Sequence, residues 1–508
     1  MPSVSQNWLD RALGFLAPRV QLQRVRARVA TDVVVRHYEA ASTGRRTSGW
    51  VRQGSDANTA QAGATLAKVR DAARDLVRNN PYAEAALSTI VDHAIGSGIV
   101  AKMKGGGTEN RWFQMWKAWA DSTQCDADGR HDFYGLQKLI IRSVAESGEV
   151  LVRRRRRRLT DGVTIPLQLQ VLEADFLDSA RTTPLGNGGQ IIQGVEFDQL
   201  GNRVAYWLFP RHPGALSFST MTAALFPASQ RIPATDILHI YQAARPGQVR
   251  GASWFANSLV RFKDFDEFED ATLMKQKIAA CLAVITSDVD GTGAPLGTAD
   301  DSTNPGIDTL QPGAILNVPP GRSVEVVQPP SVGEYQAYTS VTLRAIAAGI
   351  GVTYEDITTD YTNMSFSAAR MSRLRHWDHV EDWRWRLIVP QFCDPVWNWA
   401  LEAAGILGMQ PIDDPTPDVR WTAPPMPMIE LDKEALAYLR AVRSGLMTLS
   451  EAIRERGYDP DEVFAEIKAD NAKLDALGLI LDTDPRRMTQ AGQMQGAKPT
   501  STPDGGSA

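Results

Sequence analysis

The sequence predicts an α+β fold in several domains, and three observations support this prediction. The chain has 508 residues, enough for about two to four domains of ordinary size. Apolar residues recur at spacings of three and four before residue 148 and again after residue 252, which is typical of helices that bury one face. Between Glu149 and Tyr241 the period changes to two, which is typical of strands.

Composition and charge exclude several classes of protein. Apolar residues make up 43% and charged residues 22% of the chain, so wholesale disorder and collagen-like repetition are excluded. With 54 basic and 59 acidic residues the net charge is -5, which argues against a protein that coats nucleic acid through its net charge. No apolar run approaches the roughly 20 residues of a membrane helix, so we expect no contact with a membrane.

Cysteine spacing and the start of the chain bear on the compartment. Cys125, Cys281 and Cys393 are far apart and form no CxxC pair, which argues against a disulfide framework and against a thiolate zinc site. A reducing compartment is expected. Asp10 and Arg11 interrupt the first apolar segment, which therefore predicts a short amphipathic helix and no secretory signal.

The first half of the chain predicts an arm, four helices and five strands. Residues 1–60 are rich in arginine and weakly periodic, so we expect an arm there. Asn80 and Pro81 provide the cap and the first position of the second helix. The predicted helices are at residues 64–78, 81–95, 112–119 and 133–147, and the predicted strands at 149–156, 167–172, 191–197, 203–209 and 237–241.

The second half predicts long helices separated by an irregular excursion. Ser253 is a candidate cap for a helix to about residue 286, with apolar positions every three residues. Residues 287–333 are rich in glycine, proline and small polar residues, and they contain one predicted hairpin, 315–318 with 324–327. A helix resumes at Glu334. A second helix, capped by Ser365, runs to residue 389 and continues past Pro390 with a kink.

The usual catalytic sequence motifs are missing. The chain contains no GxxxxGK[ST], HExxH or GxSxG, and no GxGxxG opens a helix after a strand. The best candidate for a metal site is His376 and His379, one helical turn apart, with Glu381 and Asp382 nearby. We interpret these residues as a solvated helix face and keep a metal-dependent hydrolase as the alternative function.

Five carboxylates within seven residues form an acidic cluster on the first long helix. They are Asp264, Asp266, Glu267, Glu269 and Asp270. Neighbouring carboxylates repel one another on a helix. The favoured interpretation is a solvated face balanced by nearby lysines, and the alternatives are a magnesium site and a surface selected to be negative.

Six consecutive arginines enter a predicted hairpin. They are Arg153, Arg154, Arg155, Arg156, Arg157 and Arg158. One interpretation is an exposed hairpin edge that charge protects from aggregation. The other is contact with nucleic-acid phosphates or with an assembly partner, which requires no base specificity. The tryptophan-rich stretches 112–119 and 377–399 are interpreted as core or subunit interface.

Several sequence segments, taken in order, resemble the lambda-like family of portal proteins of tailed bacteriophages. Each segment is short, and their order and spacing along nearly the whole chain carry the resemblance. The segments are YEAA (38–41), RDLVRNNPYA (74–83), GE (148–149), LEAD (172–175), IPA (232–234), RPGQVRG (245–251), KIAA (277–280) and LRAIAAGIGVTYED (343–356).

The resemblance implies a structural protein of the virion without catalytic residues, cofactor or metal. It implies a ring, commonly a dodecamer, at the capsid portal vertex, assembled in the host cytoplasm, with a central channel for DNA packaging and ejection. Double-stranded DNA would pass through the channel without sequence specificity. Other implied partners are the terminase large subunit, the major capsid and scaffold proteins and the head-tail connector proteins. A monomeric adaptor or scaffold is a rival that differs in its assembly state.

The resemblance also implies a division into wing, stem, clip and crown. The N-terminal arm is 1–60, the wing 61–252, the stem helices 253–286 and 334–349, the clip 287–333, the second wing part 350–425 with a long helix from 365, the helical crown 426–484 and a disordered tail 485–508. A tunnel loop at about 353–363 would border the DNA. Its polar residues are Thr353, Glu355, Asp356, Thr358, Thr359, Asp360 and Asn363.

Overall fold

Most of the described structure belongs to the second of two units of the chain. The computed structural model describes residues 56–60, 63–103, 111–214, 228–280, 284–288, 322–326, 335–362, 364–406, 419–427, 430–458, 460–481 and 486. The two units are Met1–Ala60 and Gln61–Ala508. In the first unit one helical turn, Ala57–Ala60, is described, and the rest of the predicted arm lies outside the described residues.

Four helices precede the three-stranded sheet, as predicted. They are α1 Gly63–Asn79, α2 Pro81–Ala94, α3 Arg111–Ala120 and α4 Phe133–Ser147. Asn80 caps α2, because its side-chain oxygen accepts hydrogen bonds from the backbone N–H groups of Tyr82 and Ala83 at 3.0 and 3.1 Å. After α4 the chain turns at Gly148, where φ is +93° and an added Cβ would lie 2.4 Å from the carbonyl carbon of Ala252. Only glycine fits this turn.

A three-stranded antiparallel sheet follows α4. Its strands are β2 Glu149–Arg156, β3 Leu167–Glu173 and β9 Ile237–Tyr241, in the order β3-β2-β9. Val152 of the central strand lies opposite Val171 on one side and Leu238 on the other. These strands confirm three of the predicted ones, and together with the helices they confirm an α+β fold.

A five-stranded antiparallel sheet is formed between β3 and β9 in the sequence. Its strands are β4 Thr183–Pro184, β5 Gln190–Ile192, β6 Val195–Phe197, β7 Arg203–Leu208 and β8 Gln230–Pro233. The single strand predicted at 191–197 is wrong, because β5 and β6 form a hairpin. Gln193 and Gly194 make its turn with φ of 48° and 85°. Apolar residues on both sides of this two-residue turn resemble one continuous strand in the sequence.

The predicted tryptophan clusters form much of the main core. Trp116 meets Trp397 with ring centroids 4.8 Å apart, and Phe133 stacks on Phe392 at 5.2 Å. Trp421 joins them from β12, Val419–Thr422, which pairs with β1, Val100–Met103. Aromatic pairs of this geometry add to the stabilisation that burial provides. The core therefore connects the first helices with β12, which lies much later in the sequence.

The first predicted stem helix is shorter than expected. Helix α5 is Leu259–Ala280, and the end of the predicted helix forms β10, Val284–Asp288. The hydroxyl of Ser253 accepts a hydrogen bond from the N–H of Phe255 and so caps only a short turn before α5. Val284, Ile285 and Thr286 are β-branched, and such residues favour strands over helices.

In the predicted clip hairpin, the second strand pairs with a different strand from the one predicted. Strand β10 pairs with β11, Arg322–Val326, so that Val284 lies opposite Val326. The predicted first strand, 315–318, lies outside the described residues. Helix α6, Tyr335–Ile350, then returns alongside α5, and the ring of Phe268 stacks on Tyr335 with centroids 5.9 Å apart.

The C-terminal part is helical and begins with a short helix where a loop was predicted. The elements are α7 Tyr354–Thr358, α8 Phe366–Asp382, a π-helical segment Trp383–Cys393, α9 Asp394–Ile406, α10 Leu431–Arg443, α11 Leu449–Glu455 and α12 Pro460–Leu477. Ser365 caps α8 as predicted, with its hydroxyl accepting from the N–H of Ala368. Pro390 lies in the wide π-helical turns, which tolerate its missing N–H. No helix in the described part of the chain is long and apolar enough to cross a membrane.

A fully buried carboxylate, Glu149, connects four segments at the start of β2. It accepts hydrogen bonds from Arg250 Nε at 2.8 Å, Arg70 Nη2 at 3.1 Å and His239 Nε2 at 2.9 Å. The backbone N–H of Gly251 donates a further bond of 2.9 Å. Burial alone would raise the pKa of Glu149, but the charge of Arg250 and the bonds from His239 and Arg250 outweigh it, and the pKa lies far below its usual range.

Replacing Glu149 with Gln should destabilise the protein by about 3–5 kcal/mol, because Arg250 would remain buried without its counter-charge. Thermal unfolding followed by circular dichroism measures this loss. Glu173→Gln is the matched control, since the Glu173 side chain is 57% exposed and pairs with Arg74 at the surface. A control loss as large as that of Glu149→Gln would contradict the assignment.

The same carboxylate predicts how stability depends on pH. The folded pKa of Glu149 is depressed, so its contribution is present above the unfolded pKa of about 4.3 and is lost as the pH falls below it. Burial also lowers the pKa of His239, so this histidine is protonated at a higher pH in the unfolded chain than in the folded one. Acidification therefore reduces stability through His239 as well as through Glu149. The unfolding temperature should fall on acidification, with a shallower slope in Glu149→Gln. Equal slopes in the two proteins would refute the prediction.

Candidate functional site

The six arginines differ in burial along β2 and the turn after it. Arg154 is buried, its Nη1 donates to Glu402 Oε2 at 2.7 Å, and its guanidinium lies 5.7 Å from the centroid of Trp399. Arg153 and Arg155 are half-buried, whereas the side chains from Arg156 to Arg158 are exposed. Because β2 is central in its sheet, the predicted exposed edge is wrong for the start of the run. The last three arginines are exposed, although Arg156 Nη2 lies 3.2 Å from Asp236 Oδ1 and Arg157 Nε donates to Gln168 Oε1 at 2.6 Å.

The acidic cluster on α5 is likewise divided into two groups. Asp266 Oδ1 accepts a hydrogen bond from the amide of Asn80 at 2.7 Å, and Glu269 Oε1 accepts one from the hydroxyl of Tyr335 at 3.1 Å. Burial, with repulsion from Asp270, raises the pKa of Asp266 despite the bond from Asn80. These two carboxylates hold α5 against α2 and α6. The exposed members are Asp264, Glu267 and Asp270.

The segment predicted as a tunnel loop is ordered by a capping box. The hydroxyl of Thr353 accepts from the N–H of Asp356 at 3.1 Å, and Asp356 Oδ2 accepts from the backbone N–H of Thr353 at 3.3 Å. This reciprocal pair starts α7, so a loop over the whole segment is wrong. Thr353, three residues before an acidic residue, was the signal in the sequence.

Only the end of that segment is exposed. Glu355 and Thr358 are half-buried in α7, and Thr359 ends the helix in the left-handed conformation with φ of 54°. Asp360 is exposed, and its Oδ1 accepts from the N–H of Thr362 at 3.0 Å. Asn363 lies outside the described residues.

The structure brings His376 together with residues other than those predicted. His93 Nδ1, at the end of α2, lies 2.9 Å from His376 Nε2, and Asp356 of α7 completes a group whose ligand atoms lie within 4.8 Å of one another. Burial lowers the pKa of both His93 and His376, against an opposing effect of Asp356. Burial therefore favours the neutral form of both imidazoles. His93 could not be assigned from sequence spacing.

The predicted pairing of His376 with His379 is not formed. His379 is exposed and stacks on Trp383 with centroids 6.1 Å apart. The nearby carboxylates are occupied by arginines: Glu381 Oε1 lies 3.2 Å from Arg384 Nη1, and Asp382 Oδ1 lies 2.9 Å from Arg386 Nε. A hydrolytic site built from these residues is not supported.

Glu173, Asp175 and His212 form a second group with metal-ligand spacing. His212 Nε2 lies 3.0 Å from Glu173 Oε2. Arg74 Nη2 lies 3.3 Å from Glu173 and 2.8 Å from Asp175, and Arg70 Nη1 lies 3.0 Å from Asp175. Two guanidinium groups therefore already neutralise the carboxylates. This group is a surface extension of the Glu149 network.

Comparison with known proteins identifies relatives among phage portal proteins. The probable portal protein of Halomonas phage phiHAP-1 is 27% identical over 375 residues, covering 72% of this chain and 71% of the relative. Portal protein B of Escherichia phage lambda is 23% identical over 458 residues, covering 80% and 84%. The portal protein of Escherichia phage N15 is 23% identical over 461 residues, also covering 80% and 84%.

Solved structures of gene transfer agent particles contain similar chains. A chain in the neck of an empty particle is 16% identical, with a TM-score of 0.46, and covers 80% of this chain and 98% of that one. A chain in the native virion is 14% identical, with a TM-score of 0.46, and covers 78% and 94%.

The family comparison covers most of the described core. The model of the family described as phage portal protein, lambda family, matches residues 43–384, which is more than half of the chain. The matched range contains the Glu149 network, the acidic residues of α5 and the capping box at Thr353. The chain belongs to the lambda family of phage portal proteins.

Proposed function

We propose that this portal protein assembles into a ring, with about twelve subunits, around a channel for double-stranded DNA. The observation that carries the proposal is the uncovered apolar surface of α5 and α6. Val260 is 71% exposed, Val341 68% and Met274 58% in the single chain. Neighbouring copies in a closed ring would cover these residues.

The helices after β12 support the same proposal. Neither α10 nor α11 contains a buried residue, although both carry leucines. Leu431 of α10 is 68% exposed and Leu449 of α11 52% exposed. Helices with apolar faces and no buried residue need a partner. We propose residues 426–484 as a crown that packs between subunits.

Charge supports a channel through which DNA moves without being held. Each contact of a basic side chain with phosphate adds salt-dependent affinity and would retard translocation. The chain has a net charge of -5, and α5 exposes Asp264, Glu267 and Asp270. We place these three carboxylates on the channel side of a stem formed by α5 and α6. Thr359 and Asp360, exposed after α7, are the part of the predicted tunnel loop that would face DNA.

The proposed partners follow the division into clip, wing and arm. The clip, residues 287–333, would bind the terminase large subunit during packaging and the head-tail connector proteins afterwards. The exposed arginines from Arg156 to Arg158 are proposed contacts with the capsid, the scaffold or phosphates. The ring would occupy the portal vertex of the virion after assembly in the host cytoplasm. We propose no catalytic role and no hydrolytic centre.

Particle mass tests the ring directly. Mass photometry and negative-stain images of the purified protein should show a species of about twelve copies of the 55.7 kDa chain with a central hole. Val341→Asp should lower the assembly constant at least about tenfold, because it places a charge in the proposed interface. Leu200→Asp is the control, since Leu200 is 87% exposed in a turn of the five-stranded sheet. A wild-type protein that remains monomeric with scaffold added would refute the proposal.

Charge reversal tests the channel surface. The double variant Asp264→Lys and Asp270→Lys should slow packaging and shorten the packaged DNA, because two lysines per subunit would hold phosphates. Its effect should weaken as salt rises. Asp71→Lys with Asp75→Lys, at two exposed positions of α1 outside the proposed stem and crown, gives the same change of net charge elsewhere. Packaged DNA of wild-type length in the α5 variant, with normal ring assembly, would contradict the channel placement.

A further inference from the structure

Three residues distant in sequence place their ligand atoms around one point between α2, α7 and α8. These are His93, Asp356 and His376, and the chosen ligand atoms lie within 4.8 Å of one another. Zinc binds imidazole nitrogens at about 2.0–2.1 Å and carboxylate oxygens at similar distances, so its ligands in a tetrahedral site are separated by about 3.3 Å. The two histidine nitrogens, 2.9 Å apart, are slightly closer than this, and the carboxylate lies within 4.8 Å, so small side-chain rotations would bring the three ligands around one ion.

The hydrogen bonds of His376 orient its ring for metal binding. Its Nδ1 lies 3.2 Å from the carbonyl oxygen of Gly351, which can only accept, so Nδ1 carries the proton. Nε2 of His376 then accepts a hydrogen bond from His93 Nδ1, 2.9 Å away, and a metal ion bound between the rings would take the place of that proton. An imidazole that donates its other N–H to a backbone carbonyl is the usual arrangement for a metal-bound histidine.

Asp356 is held in place by groups that leave ligand capacity unused. Its Oδ2 accepts from the hydroxyl and the N–H of Thr353, at 2.7 and 3.3 Å. A carboxylate has about four lone-pair sites on its two oxygens, so these bonds do not exhaust them. The capping box thus fixes the carboxylate of Asp356 in the first turn of α7, near the two histidines.

The surroundings of the group are aromatic. His376 is 3% exposed and meets Trp383 edge to face at 5.9 Å, and His93 lies 6.4 Å from Trp377. Neither histidine has an arginine bonded to its ring among the described contacts. This distinguishes the group from the cluster at Glu173, where Arg74 lies 2.8 Å from Asp175.

We propose that His93, Asp356 and His376 bind one divalent transition-metal ion of the zinc class, with water completing the coordination. The ion connects the end of α2 with the first turn of α7 and with the middle of α8. It thereby fixes the helix that precedes the exposed residues Thr359 and Asp360. This proposal concerns the single chain and does not depend on ring formation or on the DNA channel.

Zinc binding by the full-length protein, stripped with chelator and re-equilibrated, tests the proposal. Elemental analysis after gel filtration should show about one zinc ion per chain, and Co²⁺ in its place should give the visible absorption of a tetrahedral site. His93→Gln should lower zinc affinity at least about tenfold. Because His93 is only half-buried, this variant should fold, and circular dichroism verifies it.

Two further histidine variants separate this site from others. His379→Gln removes the exposed histidine one turn along α8, and His212→Gln removes the one beside Glu173, so both should bind zinc like the wild type. Asp356→Asn should weaken binding while it keeps most of the capping box. Substoichiometric zinc in the folded wild type, or unchanged affinity in His93→Gln, would overturn the proposal and leave a hydrogen-bonded histidine pair.

Discussion

The fold depends on one constraint, which is that a carboxylate buried at the start of the central strand must be neutralised. Glu149 is 1% exposed, and its partners come from α1, β9 and the loop before α5. A buried charge without partners costs several kcal/mol, so the four segments must meet before β2 can be buried. Gly148 and Gly251 allow the close approach, since an added Cβ at Gly251 would lie 2.1 Å from the carbonyl oxygen of Gly148.

Other buried polar groups connect the remaining segments by the same rule. Arg384 is 2% exposed and donates to the carbonyl oxygens of His93, Ala94 and Pro424. It therefore satisfies the end of α2 and ties it to the chain after β12. Gln391, in the π-helical segment, bonds to both backbone groups of Tyr241 and closes the edge of β9. Buried polar side chains thus connect the segments of the α+β body, and aromatic side chains form much of the core between those segments.

Apolar side chains are less well covered on the later helices than in this body. Within the second unit the first helices and the three- and five-stranded sheets bury most of their apolar residues, whereas α5, α6 and the last helices leave several uncovered. Exposed apolar residues that lie together on a surface are typical of an interaction site, so these residues favour an assembly interface. Membership of the portal family and this surface support the same kind of assembly, although they are independent observations.

Local patterns in the sequence determined most helices and strands. Periodicity and caps are signals between residues only a few positions apart, so they can be recognised without the tertiary structure. The caps at Asn80 and Ser365, the central strand at Glu149 and the portal family all followed from sequence. Errors arose where a local pattern had two solutions, as at Gln193, where a turn interrupts an apolar run, and at Val284, where β-branching outweighs helix continuation. Only the tertiary structure decided which charges are buried and which histidines meet. His93 and His376 lie on different helices, and their contact depends on how those helices pack.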